Sequence, residues 1–113
     1  MAQARPPDVV ELNQGDEVRH VIGSSRKGMK RPKYGSWKKY WSGYTGEDFP
    51  ASCQMEACEN KAWLGAHVYI RNREGHVFAG EYIIACCEPC NQNRALSEDW
   101  YRVKDGQAVN VPQ

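Results

Sequence analysis

Five cysteines stand at positions 53, 58, 86, 87 and 90 of a 113-residue chain. They fall into two pairs, Cys53-x4-Cys58 and Cys87-x2-Cys90, on either side of some thirty residues. Zinc is d¹⁰ and takes four soft ligands in a tetrahedron, at about 2.3 Å for Zn–S. One short loop presents only two thiolates, so two such pairs must be brought together by whatever lies between them. The x2 spacing is the tighter of the two, because two intervening residues let both sulfurs face one point. Cys86-x3-Cys90 is open as an alternative, but Cys86 continues the apolar side of the preceding run. The pattern therefore predicts one structural zinc per chain on Cys53, Cys58, Cys87 and Cys90, with no open catalytic position. The competing reading is a set of buried free thiols or a redox pair. The odd number argues against a fully paired disulfide framework and for an intracellular, reducing compartment.

The elements that must position these thiols are written around them. Trp63–Ile70 and His76–Ala85 are β-branched and aromatic runs separated by Arg71-Asn-Arg-Glu-Gly75, and Gly75 supplies a positive φ. A β-hairpin is expected there. Cys87 to Leu96 reads as a knuckle running into a short helix. Trp100–Lys104 and Gln107–Val111, joined through Asp105-Gly106, predict a second, C-terminal hairpin with a type I′ turn. Upstream, Tyr34, Trp37, Trp41 and Tyr44 recur at steps of 3, 4 and 3, one face of a short helix. Residues 18–33 read as a loop or arm, and residues 1–17 as a mobile or loosely packed start. The longest apolar run, Ile83–Cys87, is far too short to span a membrane. The first residues lack the apolar stretch of a secretory signal.

Cys-x4-Cys, then Gly65-Ala-His-Val68, then Tyr82-Ile-Ile-Ala-Cys-Cys87-x2-Cys90-Asn91 resembles the HNH-type treble-clef group, the ββα-metal nucleases and their relatives. The resemblance covers roughly residues 51–96. It implies a zinc held by two knuckles that brace a hairpin and a helix. It also implies that His67 takes the general-base position that deprotonates water for phosphodiester hydrolysis. Ala66 stands where active members carry a ligand for the catalytic ion, and Asn91 stands where a second ligand is usually His. Glu81 or Tyr82 lies near the place of the asparagine that orients the base. The catalytic ion site is therefore degenerate on this resemblance. A packing role and a zinc-ligand role are the other readings of His67.

Charge narrows the function further. The formal net charge of +1 argues at first sight against a polyanion partner. It conceals a division. Residues 18–46 hold Arg19, Arg26, Lys27, Lys30, Arg31, Lys33, Lys38 and Lys39 and no acid, a net +8. Residues 1–17 sum to −3 and residues 47–113 to −4. Within 26–44, seven basic residues interleave with five aromatics. Lys and Arg attract phosphates by charge and counterion release, and aromatic faces stack on unpaired bases.

The expected architecture is an α+β, zinc-stabilised, treble-clef (HNH-like) domain over 51–113 with a C-terminal β-hairpin. A basic, aromatic-rich segment, 1–50, packs partly on it. The expected function is a non-catalytic zinc module that binds DNA or RNA, or a nucleoprotein partner, through Arg26, Lys27, Lys30, Arg31, Lys33, Trp37, Lys38, Lys39 and Trp41. A metal-dependent nuclease using His67 is the enzyme-class alternative. A protein-interaction module attracted to an acidic protein surface is the third.

Overall fold

The computed structural model describes residues 7–21, 36–94 and 98–112, without the side chains of 92–94. Six strands and two short helices follow in chain order. They are β1 (Val9–Leu12), β2 (Glu17–His20), α1 (Trp37–Thr45), β3 (Leu64–Arg71), β4 (Glu81–Cys86), α2 (Glu88–Arg94), β5 (Tyr101–Arg102) and β6 (Gly106–Val111). All pairings between strands are antiparallel, in the order β1-β6-β4-β3-β2-β5. The expected α+β treble clef is thus replaced by a six-stranded antiparallel sheet carrying two short helices. The reason is that the β3–β4 hairpin does not end at its own edges. β2 adds to β3 and β6 adds to β4, so the core runs along one sheet instead of between a hairpin and a helix.

This sheet cannot be flat. β1 and β2 lie four places apart in the strand order, about 19 Å at the usual spacing. Yet only residues 13–16 join them, and Asp16 N–H donates to the Asn13 carbonyl at 2.9 Å in that turn. The turn is held by buried Asp16, whose carboxylate accepts from the backbone of Asn13 and Arg73. On the adjacent segment Val103 exchanges hydrogen bonds with Gly15 and Asp16 as β5 runs on to β6. One bent ribbon, β1–β2 against β5–β6, therefore folds over and adds to both sides of the β3–β4 hairpin.

Two sequence expectations fail here for one reason. Residues 9–12 and 17–20 are ordered strands of this ribbon, not a loose start and a loop. Residues 101–102 and 106–111 are strands, but they pair with β2 and with β1 and β4, not with each other. A type I′ turn needs a positive φ at glycine. Gly106 is not among the positive-φ glycines. It instead leaves room for the buried side chain of Gln54, which lies where a Cβ would stand.

The β3–β4 hairpin itself forms as its sequence predicts. Gly75 has φ +90° in the connection, and the Asn72 side chain accepts from His76 N–H at 2.9 Å. The second strand starts at Glu81, later than expected, after a looser stretch bridged by Arg71 and Val77. β4 is covered on both sides, which is why it reads as an unbroken apolar run. Tyr82, Ile84 and Cys86 face a cluster with Leu12, Val18, Met55, Val68, Ile70 and Val103. Ile83 faces Val109 and the aromatic helix α1.

Helix α1 is bounded by Ser36, whose hydroxyl accepts from Lys39 N–H, and by Gly46 at φ +73°. Both caps satisfy backbone groups that helix ends leave open. Tyr40 and Trp41 are its buried residues, flanked by Trp37 and Tyr44. Tyr40 Oη donates to the Asn110 carbonyl at 2.7 Å and Trp41 Nε1 to that of Gln107 at 2.9 Å. The helix is seated closely: a Cβ at Gly65 would meet Trp37 atoms at 2.7 and 2.8 Å. Among the described residues no helix is long and apolar enough to cross a membrane.

Candidate metal centre and basic-aromatic surface

The four thiols of the two pairs converge. The Sγ atoms of Cys53, Cys58, Cys87 and Cys90 all lie within 4.8 Å of one another. Cys58 Sγ is 3.7 Å from Cys87 Sγ and 3.7 Å from Cys90 Sγ. A tetrahedron with Zn–S bonds of 2.3 Å has edges of about 3.8 Å. The separations therefore suit a metal ion of that size. Cys86 is not one of the four; it is buried beside them, with its Sγ 3.9 Å from Cys53 Sγ.

The first pair is carried on the loop that follows α1. Cys53 N–H donates to the Asn60 carbonyl at 2.8 Å and closes the loop on itself, while Gln54 N–H donates to the Ala85 carbonyl at 2.9 Å and ties it to β4. Gln54 locks the same junction from its side chain, accepting from Ala85 N–H and donating to the Gln107 carbonyl. Within the loop Ala57 takes a positive φ of 62°, a conformation that L side chains hold only when the surroundings impose it. The second pair comes from the end of β4 and the first turn of α2, where Cys90 N–H donates to Cys87 Sγ at 3.4 Å. Asn60 Nδ2 approaches the same sulfur at 3.7 Å.

The thiols are shifted in different directions. The Cys53 thiol is brought down to about 4 by the Cys86 thiol beside it, and backbone N–H groups of Met55 and Cys87 help against its burial. Burial pushes Cys58 up. Cys86 is pushed far up by the same contact with Cys53 and by burial, which keeps it a protonated neighbour. The ammonium of Lys104 sits against the Cys58 carbonyl and the Ser52 hydroxyl, a cation placed beside the thiol cluster.

No protein-family model matches this chain, and neither a curated protein nor a solved structure matches it. The site must therefore be read from its own geometry.

His67 lies on the opposite face of β3 and takes no part in the thiol cluster. It is 6% exposed, and its Nε2 is 2.7 Å from Glu81 Oε1, close but without hydrogen-bond alignment. The Trp37 ring packs over it, 5.4 Å between centroids. Burial lowers its basicity, and the Glu81 carboxylate opposes that shift without overcoming it. Ala66 is buried on the other face, in the aliphatic cluster.

Of the expected nucleic-acid contacts, Arg26, Lys27, Lys30, Arg31 and Lys33 lie outside the described residues, as does Tyr34 of the aromatic stripe. Trp41 is 3% exposed and offers no face for a base. Trp37 is half-buried against Tyr40 and His67. Lys39 is exposed and Lys38 half-buried at the start of α1, and neither has a carboxylate partner among the described residues.

Among the described residues lie two further basic-aromatic arrangements outside the 26–44 segment. On the outer face of β2 and β3, the Arg19 guanidinium lies 5.3 Å from the Tyr69 ring and 5.1 Å from Trp100, and Arg71 lies 4.5 Å from Trp100. Arg71 is already paired with Glu17 at 2.8 Å. The second involves Lys61 and Trp63, between the first thiol pair and β3. Trp63 reads in sequence as the first residue of a strand, and only its distance from the apolar alternation of β3 hints that it faces outward.

Proposed function

We propose that the chain is a non-catalytic binding module, clasped by one zinc on Cys53, Cys58, Cys87 and Cys90, that binds nucleic acid through its basic segment and α1. When bound, zinc supplies a structural cross-link between the loop after α1 and the end of β4. Four thiolates complete its tetrahedron. The observation that carries the binding reading is the block of eight basic residues without an acid, 18–46, which runs into the start of α1 at half-buried Lys38 and exposed Lys39. Phosphates are the partner such a block attracts most strongly.

The reading is tested by binding to oligonucleotides across a salt series. Affinity falls steeply as salt rises, and Lys38→Ala with Lys39→Ala makes the dependence shallower by about one unit of slope per lysine. Absence of binding at low salt contradicts it.

The enzyme alternative has one observation in its favour, the Glu81 carboxylate beside His67. Burial under Trp37 weighs against it, because a general base must reach the water it deprotonates. Cleavage of single-stranded or plasmid DNA with Mg²⁺ or Mn²⁺ that disappears in His67→Ala would establish it instead.

A further inference from the structure

Trp63 is 58% exposed, the most exposed large apolar side chain among the described residues. A singly exposed apolar side chain is ordinary; what sets Trp63 apart is its fixed backbone and the cations gathered at its ring. Its backbone is not loose. Trp63 N–H donates to the Cys86 carbonyl at 2.9 Å, and Lys61 bridges Ser52, so both residues leave the thiol-bearing loop in a fixed direction. Two cations lie over the ring. Lys61 Nζ lies 4.4 Å from its centroid, and Lys38 Nζ, reaching across from α1, lies 5.7 Å from it and 5.3 Å from the Phe49 ring. Neither ammonium has a carboxylate partner among the described residues.

We infer that Trp63, with Lys38 and Lys61, is a stacking platform for an unpaired base of single-stranded nucleic acid. This rests on the nucleic-acid reading above and replaces Trp41 as the aromatic that performs it. An exposed indole offers a flat face of the kind every base can stack on, and the two lysines now over the ring have stems long enough to swing aside and meet the flanking phosphates when a base takes their place. A protein partner fits less well. Apolar anchors at protein interfaces sit among other apolar groups, and lysine is depleted there. A duplex fits less well too, because its bases are already stacked on one another.

The test measures binding of a labelled single-stranded oligonucleotide of about 16 nucleotides and of the matching duplex. The proteins compared are wild type, Trp63→Ala, Trp63→Phe and Lys61→Ala, each zinc-loaded and checked for an unchanged thermal midpoint. Trp63→Ala is expected to weaken single-strand binding roughly 5- to 100-fold while leaving duplex binding within about twofold. Trp63→Phe restores most of the loss, and Lys61→Ala lowers the salt slope by about one. Polyglutamate, a polyanion without bases, competes poorly for the wild-type protein. Single-strand affinity unchanged in Trp63→Ala overturns the platform and leaves the nucleic-acid reading standing. Equal losses on single strand and duplex, or full competition by polyglutamate, also overturn the platform. Failure of the wild-type protein to bind any oligonucleotide at low salt overturns both.

Discussion

The two faces of the sheet are held by different physics, and β4 is where they meet. On one face, thiols sit among aliphatic side chains such as Leu12, Met55, Ile70 and Ile84. On the other, an aromatic helix lies on Ile83 and Val109, with each buried ring finding either an edge-on neighbour or a carbonyl. The first face gathers the two thiol-bearing segments, one of which holds Ala57 at a positive φ. The second is ordinary burial of large rings with capped helix ends. In this account the thiol face depends on a ligand and the aromatic face depends on packing. Both depend on β4, because its alternate residues serve each.

Removing the metal is expected to have the largest effect. Structural zinc in small thiolate sites contributes apparent free energies of about 10–16 kcal/mol, as large as the whole stability of an ordinary domain. A strong chelator or Cys90→Ser should abolish the cooperative thermal transition. Loss of amide protection would begin at 53–60 and extend through β4 to α1. If α1 kept its protection while the thiol face melted, the two faces would be independent and the role given to β4 would fail.

Trp41→Ala tests the aromatic face from its own side. Truncating a buried ring costs about 3–5 kcal/mol, whereas truncating exposed Trp63 changes stability by about 0.5 kcal/mol or less. Urea melts of the two variants should separate accordingly. Similar midpoints would contradict the burial that distinguishes these two residues.

Gly65→Ala is expected to cost about 1–3 kcal/mol, because its Cβ would press on Trp37 and on Ile83 Cγ2 at 2.8 Å. The loss should be smaller in an Ile83→Ala background, which removes the Cγ2 contact, and unchanged in Trp37→Ala, which keeps the Cβ and carbonyl carbon that the new methyl meets.

His67 gives the smallest effect, and one with a definite sign. Burial lowers its folded-state basicity, so near pH 6 the unfolded chain binds more protons than the folded one. Its contribution is complete above about pH 6.5 and is lost as the pH falls below that value, at no more than about 1.4 kcal/mol per pH unit. The zinc-loaded His67→Gln variant should show a shallower acid decline than wild type. A wild-type protein that gains stability on mild acidification would mean that Glu81 outweighs burial.

What the sequence made legible was local. The thiol pairs, the β3–β4 connection with Gly75, the short helix after Cys87 and the helical aromatic spacing all depend on residues within a few positions of one another. What it hid was non-local. β1 and β2 are four-residue strands whose charged residues mask any alternation, and they are ordered by partners some fifty to a hundred positions away. Asp105-Gly106 carries a hairpin signal that the packing of Gln54 overrides. A fold class inferred from residues 51–96 could not anticipate strands added from both ends of the chain. The aromatic stripe gave the helix, but not which ring is buried. Trp41 went inside with Tyr40, and the open indole is Trp63, outside the stripe.

The central claim is that four named thiolates clasp one zinc and that the fifth cysteine does not. Native mass spectrometry of protein purified without added metal tests it most directly. The account predicts one zinc per chain in wild type and in Cys86→Ser, and loss or marked weakening of binding in Cys53→Ser, Cys58→Ser, Cys87→Ser and Cys90→Ser. A metal-free wild-type protein that folds normally, or zinc lost in Cys86→Ser but kept in Cys87→Ser, would contradict it.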